Sequence, residues 1–306
     1  MTSQKTFTQF LWRATAALLR RSGERLTRHS KTAYGRSLPK LRGEDRQLLR
    51  LNEKLRNRHE GRRCFVIGNG RSIRFQDLSL LANEITFVMN AFWKHEIVSV
   101  WQPTYYVLSD PILFDRSDSV KEFFADLNVR VQKTTFIVPL RQKTTIEMDH
   151  LLPVASTHFV AFTGEFAGPL TEDTIDFAGM VPGIETVAQL ALMAAIYMGC
   201  SPIYLIGLDH NWLADREIAD YNFYKGKTLQ NHPQVTGRSM FPYDVDMEAM
   251  LKVWKLYRKL KAFAEQQGIE ILNATEGSYL DVFDRVPYQS LFDHKPEATA
   301  GALKHR

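Results

Sequence analysis

Cys64-Phe65-Val66-Ile67-Gly68-Asn69-Gly70-Arg71-Ser72-Ile73 carries a four-residue apolar run into a Gly-x-Gly turn and then into a polar segment. A short run that is apolar at every position predicts a strand covered on both faces. Glycine lets the chain turn tightly and leaves no Cβ to keep a ligand away. In an open α/β sheet such a turn lies on the carboxyl edge of the strands, where ligands bind.

Six further runs have the same texture: Ile85–Met89, 104–108, 135–138, 159–162, Ile203–Ile206 and 269–272. Helical stretches lie between several of them. The clearest are 184–198, followed by Gly199, and 245–267, followed by Gly268; a glycine in that place closes a helix. Alternating strand and helix predict an α/β protein, a Rossmann-like doubly wound and mostly parallel sheet. Residues 208–243 read as a long irregular lid segment between strand and helix, a length that in compact domains points to function.

The chain has 306 residues, 44% of them hydrophobic, enough for one large core or two small ones. No apolar run is long enough to span a bilayer, and no secretory signal is legible at the N-terminus. The two cysteines, Cys64 and Cys200, abut strand-like runs. They read as small buried hydrophobes, which suits a reducing cytoplasm. The net charge of +5 is unevenly spread. Residues 1–60 hold 15 Lys and Arg against 5 Asp and Glu, and the rest holds 24 against 29. The expected division is therefore a basic, partly helical extension over 1–60, a nucleotide-binding catalytic domain over 61–290, and a flexible tail over 291–306. Phe7, Phe10, Leu11, Ala14, Leu18 and Leu19 fall near helical spacing, with Arg13, Arg20 and Arg21 among them. Residues 1–30 read as a helix on an anionic membrane surface, as one packed on its own domain or a partner, or as a frayed terminus. The stretch has few stacking aromatics and no binding motif, which argues against nucleic acid.

Four strand-like runs end on polar residues: Gly68-Asn69-Gly70, Asn90, Ser109-Asp110-Pro111 and Gly207-Leu208-Asp209. Four such ends on one edge point to a ligand site. The turn is not a dinucleotide fingerprint, because Ile73 stands where the third glycine would be, and it is not a Walker loop. A nucleotide still fits: backbone N–H groups of residues 69–72 would cradle phosphate, helped by the Ser72 hydroxyl. Asn90 would bond a base or ribose, with a helix N-cap as the plain alternative. Asp110 would take sugar hydroxyls or orient an acceptor, with a turn before Pro111 as the alternative. No HExxH or Cys/His cluster demands a metal. Asp244-x-Asp246 could hold a divalent ion, but acids also suit a first helical turn. His232, His210 and Asp209 are the candidates for proton transfer, His232 first. Tyr221 and Tyr224 read equally as donors to a departing phosphate or as aromatic plugs.

Residues 67–73, then Met89-Asn90-Ala91-Phe92, then Val107-Leu108-Ser109-Asp110-Pro111, resemble the first three motifs of the bacterial sialyltransferases of glycosyltransferase family 42. Val181-Pro182-Gly183 and the run 201–209 follow in the same order. The closing stretches 271–275 and 280–283 are similar to a broader superfamily, which also holds motility-accessory flagellin glycosyltransferases and archaeal-type 6-hydroxymethyl-dihydropterin pyrophosphokinases. The resemblance covers roughly residues 61–290. It implies a CMP-activated sugar donor met by Asn69 and its neighbouring turn and by Asn90, with His232 in the interval of the family's catalytic histidine and Tyr221 or Tyr224 as a phosphate-contacting tyrosine. Taken with the residue reading, the candidate site is Gly68, Asn69, Gly70, Ser72, Asn90, Asp110 and Gly183 for the donor and His232, Asp209 and Tyr224 for catalysis. Asp110 and Pro182 depart from the family's Asn and Ser, and Asn211 stands where a phosphate-contacting tyrosine is expected.

The reading that follows is a glycosyltransferase moving a CMP-activated nonulosonate to a bacterial surface glycan or glycolipid, with no cofactor beyond the donor. The second is a Mg²⁺-dependent pyrophosphokinase organised by Asp110 and Asp209. The third is a non-catalytic nucleotide-binding partner in polysaccharide synthesis.

Overall fold

Nine parallel strands form one sheet in the order β6-β5-β4-β3-β2-β1-β7-β8-β9. They are β1 (Cys64–Ile67), β2 (Ile85–Met89), β3 (Tyr105–Val107), β4 (Thr135–Pro139), β5 (Thr157–Phe162), β6 (Met180–Val181), β7 (Ile203–Ile206), β8 (Ile271–Asn273) and β9 (Asp284–Arg285). The computed structural model describes residues 41–164, 168–171, 174–214, 222–224 and 242–293. The doubly wound α/β fold expected from the sequence is the fold observed.

Alternation along each strand builds the two faces. Cys64, Val66, Phe87, Tyr105, Val107, Ile203 and Leu205 point into one core, shared with helices α4 (Val187–Tyr197) and α5 (Tyr243–Gln266). Phe65, Ile67, Val88, Tyr106, Phe136, Tyr204 and Ile206 point into the other, shared with α2 (Asp118–Arg130) and α3 (Lys143–Met148). β1, β2 and β7 are buried at every position because both faces are covered. α4 is the most hydrophobic helix: Ala188 through Tyr197 are all buried against the centre of the sheet, and its Thr186–Gln189 capping box closes the start.

Residues grouped with the basic extension on charge belong partly to this packing. Helix α1 (Gly43–Arg50) and the 3-10 turn after it bury Leu49, Asn52 and Leu55. The Asn52 amide donates to the carbonyls of Phe159 (2.7 Å) and Phe177 (2.8 Å), and its oxygen meets His158 Nδ1 at 2.7 Å. Gly61 N donates to Gly199 O, and the His59 ring meets the Tyr105 hydroxyl. A boundary drawn at residue 60 by charge thus cuts through core contacts. At the other end Leu291 is buried and the Phe292 ring stacks on Phe65, so the packed body also runs past 290. Both cysteines are buried free thiols. No helix among the described residues is long and apolar enough to cross a membrane. The interfacial-helix expectation falls on residues outside those described.

Asn52→Ala orphans two buried carbonyls and leaves a gap beside β5. A loss of about 2–4 kcal/mol is expected, read as a lower denaturant midpoint at an unchanged slope. A midpoint within error of the wild type would show that the segment adds nothing to the body.

Candidate functional site

The order of strands fixes where a ligand can lie. From β1 the chain builds outward through β2 to β6, then returns through α4 to place β7 on the opposite flank of β1. At the carboxyl ends of β1 and β7 the connections diverge, and that divergence opens the crevice in which doubly wound folds bind ligands. The two turns there are Gly68–Ser72 and Gly207–Asn211.

These turns interlock. Gly68 N donates to Ile206 O at 2.8 Å and Gly70 N to Gly207 O at 2.9 Å. A Cβ on Gly68 would strike Gly207 O and come within 2.6 Å of a Leu208 methyl; one on Gly70 would strike the Asp209 carboxylate. Gly207 has φ +65°, where a Cβ would come within 2.5 Å of Ile73. The glycines are therefore required by the approach of one turn to the other.

Asp209 binds the β1 turn directly. Its carboxylate accepts from Ser72 N at 3.1 Å and from Ser72 Oγ, and the Arg71 amide also favours its charged form. Burial pushes its pKa above the ordinary carboxylate value, and the bonds from Ser72 and Arg71 oppose the shift only in part. The expectation that N–H groups 69–72 cradle a phosphate is corrected here. The Gly70 amide is taken by Gly207 O and the Ser72 amide and hydroxyl by Asp209, so a protein carboxylate fills the place of the anion.

Two amide side chains stand at the carboxyl ends of β1 and β2. Asn69 Nδ2 donates to Met89 O at 3.1 Å, which fixes the side chain and leaves its Oδ1 buried without a partner. Asn90, at the end of β2, has φ +49° and a buried Oδ1 also without a partner. The Tyr106 hydroxyl donates to Asn90 O at 2.6 Å and accepts from Trp93 N at 3.0 Å, which holds that backbone in place. Asn90 is not the helix N-cap of the plain alternative: the next 3-10 turn, Phe92–Lys94, starts from Ala91. Both oxygens are thus buried acceptors without a partner among the described residues, on neighbouring strand ends.

Part of the long irregular segment lies on the same edge. Asn222 bridges to Gly70, Phe223 N donates to Asn69 O at 2.9 Å, and the Arg74 guanidinium holds Asn222 O and Phe223 O. Tyr224 follows, with the Lys94 ammonium 4.9 Å from its ring centre. Burial lowers the Lys94 pKa, partly opposed by Asp126. Gly68, Asn69, Gly70, Ser72, Asn90, Asp209 and Tyr224 are thus brought together.

Other sequence candidates lie apart from this group. Asp110, one strand further at the end of β3, accepts from Ile112 N at 3.1 Å as an ordinary cap before Pro111. Gly183 follows the edge strand β6, and its missing Cβ makes room for the Gly164 backbone at 2.6 Å. Asp244 and Asp246 lie in the first turn of α5. His232 and Tyr221 lie outside the described residues. No group of three metal-ligating side chains occurs among the described residues.

His210 is buried behind Asp209 with φ +50°. Its Nε2 lies 3.0 Å from the Tyr257 hydroxyl, and desolvation lowers its pKa to about 4. The histidine is therefore a neutral packing group at neutral pH. Sequence reasoning passed over its partner Tyr257, and also Lys94 and Trp212; only their closeness in chain to Asn90 and Asp209 could have signalled the last two.

No family model and no curated protein matches the sequence. Among solved structures the chain is similar to the MAf glycosyltransferase from Magnetospirillum magneticum AMB-1, with TM-score 0.45 and 14% identity over 80% of this chain. It spans only 38% of that protein's length. It is also similar to the sialyltransferase CstII from Campylobacter jejuni in complex with the substrate analogue CMP-3FNeuAc, with TM-score 0.41 and 14% identity over 74% of this chain and 86% of that one. A sialyltransferase CST-II complex with trisaccharide acceptor and CMP gives TM-score 0.40 at the same identity and coverage.

The depressed pKa of His210 has a stability consequence. Between about pH 4 and 6.5 the unfolded chain binds a proton that buried His210 refuses, so stability is full above 6.5 and falls as pH drops through that window. His210→Asn keeps a residue that tolerates φ +50° and removes the titration. Its deficit against the wild type should shrink by on the order of 3 kcal/mol from pH 6.5 to 4, measured by urea unfolding. A deficit independent of pH would contradict the buried neutral histidine.

Proposed function

We propose that this chain is a glycosyltransferase that transfers a sugar from a nucleotide-activated donor, a CMP-nonulosonate, to a glycan acceptor. The observation that carries the reading is the pair of buried amide oxygens without a partner, Asn69 Oδ1 and Asn90 Oδ1, at the adjoining ends of β1 and β2 beside the switch point. A sugar presents hydroxyl donors in pairs and satisfies such acceptors. The choice of CMP follows the motif resemblance in residues 67–73, 89–92 and 107–111.

In this reading the acceptor oxygen attacks the anomeric carbon and its proton passes to His232. The bond from that carbon to the phosphate oxygen breaks, and the electron pair leaves with the phosphate. Tyr224 donates a hydrogen bond to the departing phosphate, and the Lys94 ammonium beside it balances the charge. Asp209 serves as the brace of the β1 turn and takes no proton. The pyrophosphokinase alternative needs Asp110 and Asp209 to organise Mg²⁺, and both carboxylates are engaged by backbone N–H groups.

The test is a ligand screen on the full chain. CMP should raise the melting temperature without Mg²⁺. Asn69→Ala and Asn90→Gly, the latter free of strain at positive φ, should each weaken binding of the CMP-sugar about tenfold, equal to about 1.4 kcal/mol. His232→Ala should lower turnover about 10²- to 10⁴-fold with binding kept. A shift by ATP only in the presence of Mg²⁺, or full turnover by all three variants, overturns the proposal.

A further inference from the structure

The crevice has two flanks of opposite chemistry. On the β1/β2 side are the acceptor oxygens of Asn69 and Asn90. Beyond Asp209, on the α5 side, lies an aromatic stack. The Trp212 ring lies over His210, with centroids 5.0 Å apart and planes 28° apart. His210 is backed by Tyr257 at 5.4 Å and Trp254 at 5.6 Å. Trp254 is held in turn by its Nε1 bond of 2.7 Å to Asp281. The inner rings are fixed by hydrogen bonds at their polar ends, while Trp212 is 39% exposed. It therefore covers His210 and still offers ring surface to solvent.

The backbone points the same way. His210 occupies the left-handed region directly after Asp209, a conformation that costs a non-glycine residue some free energy. A glycine there would fold without that cost, but would leave Trp212 nothing to lie on. Strain kept next to a strand-end crevice is a mark of a functional position.

We propose that Trp212, seated on His210, is a stacking wall for the nucleobase of the substrate, with His210 as the positioning residue beneath it. This rests on the nucleotide reading given above and adds an orientation. A base is planar and bears a π-face that suits an aromatic wall, whereas a sugar bears the hydroxyl donors that Asn69 and Asn90 lack. The base therefore lies toward α5 and the transferred sugar toward β2, with the phosphate between them beside the interlocked turns.

The experiment compares CMP and ribose 5-phosphate by calorimetry on the full chain and its variants. Trp212→Ala should weaken CMP about tenfold or more, the range of base–aromatic stacking, and leave ribose 5-phosphate binding unchanged. Trp212→Phe should restore CMP binding to within about threefold. His210→Asn should weaken CMP and spare ribose 5-phosphate in the same way. Equal losses for both ligands would reduce Trp212 to a packing residue and overturn the wall. So would unchanged CMP binding with only the acceptor KM raised, because the wall would then serve the acceptor sugar. A wild type that binds no nucleoside monophosphate overturns the nucleotide reading along with the wall. CMP bound equally by the wild type and Trp212→Ala removes the wall alone.

Discussion

The carboxylate of Asp209 inside the β1 turn is the contact on which the site depends. Turns rich in glycine and N–H groups attract anions, and here the anion comes from the chain itself. The arrangement is selective about its neighbours. Gly68, Gly70 and Gly207 are each required because the opposite turn occupies the volume of their Cβ atoms. Desolvation raises the Asp209 pKa, so the bonds from Ser72 and Arg71 are what keep a buried charge tolerable. Two loops 137 residues apart in sequence become one unit through a side chain of four heavy atoms.

That unit is placed by the sheet. β1 is flanked by β2 and β7 and buried on both faces, so its end cannot shift without moving two ladders. The Ser278 hydroxyl on Leu208 O and the Tyr279 amide on Asp209 O tie the β7 turn to the loop after β8. On the other side Asn69 Nδ2 ties the β1 turn to the last carbonyl of β2. The crevice floor is therefore continuous from β2 to β8, and the groups without partners stand on it as fixed features.

The sequence made legible what burial dictates. β1, β2 and β7 were readable to the residue because both faces are covered and every position is apolar. β9, Asp284–Arg285, is charged, exposed and two residues long; it pairs through backbone alone and leaves no side-chain pattern. Met180–Val181 is hidden by its shortness. The segment 43–59 is hard to place from its sequence because charge dominates its composition, while its few buried residues, Leu49, Asn52, Leu55 and His59, do the packing. At the site, the glycines announced a close approach, but nothing near them in sequence said what approaches. Asp110 shows the reverse: a polar residue at a strand end that caps its own turn.

Five non-glycine residues among those described have positive φ, and two of them, Asn90 and His210, end strands beside the crevice. They close its two flanks, one with an unsatisfied amide and the other with a buried ring. Asparagine and histidine are both among the residues that enter the left-handed region most readily after glycine, and in both the surroundings hold the backbone there. Tyr106 does so through Asn90 O, and Tyr257 through the His210 ring. Both tyrosines are fully buried, and burial pushes both phenols far above their ordinary pKa, so each hydroxyl stays neutral and able to donate at any physiological pH. A polar flank and an aromatic flank are thus each buttressed by a tyrosine from the core, on opposite faces of the same sheet. The asymmetry originates in the two faces of the sheet: Tyr106 reaches Asn90 from β3 through one core, and Tyr257 reaches His210 from α5 through the other.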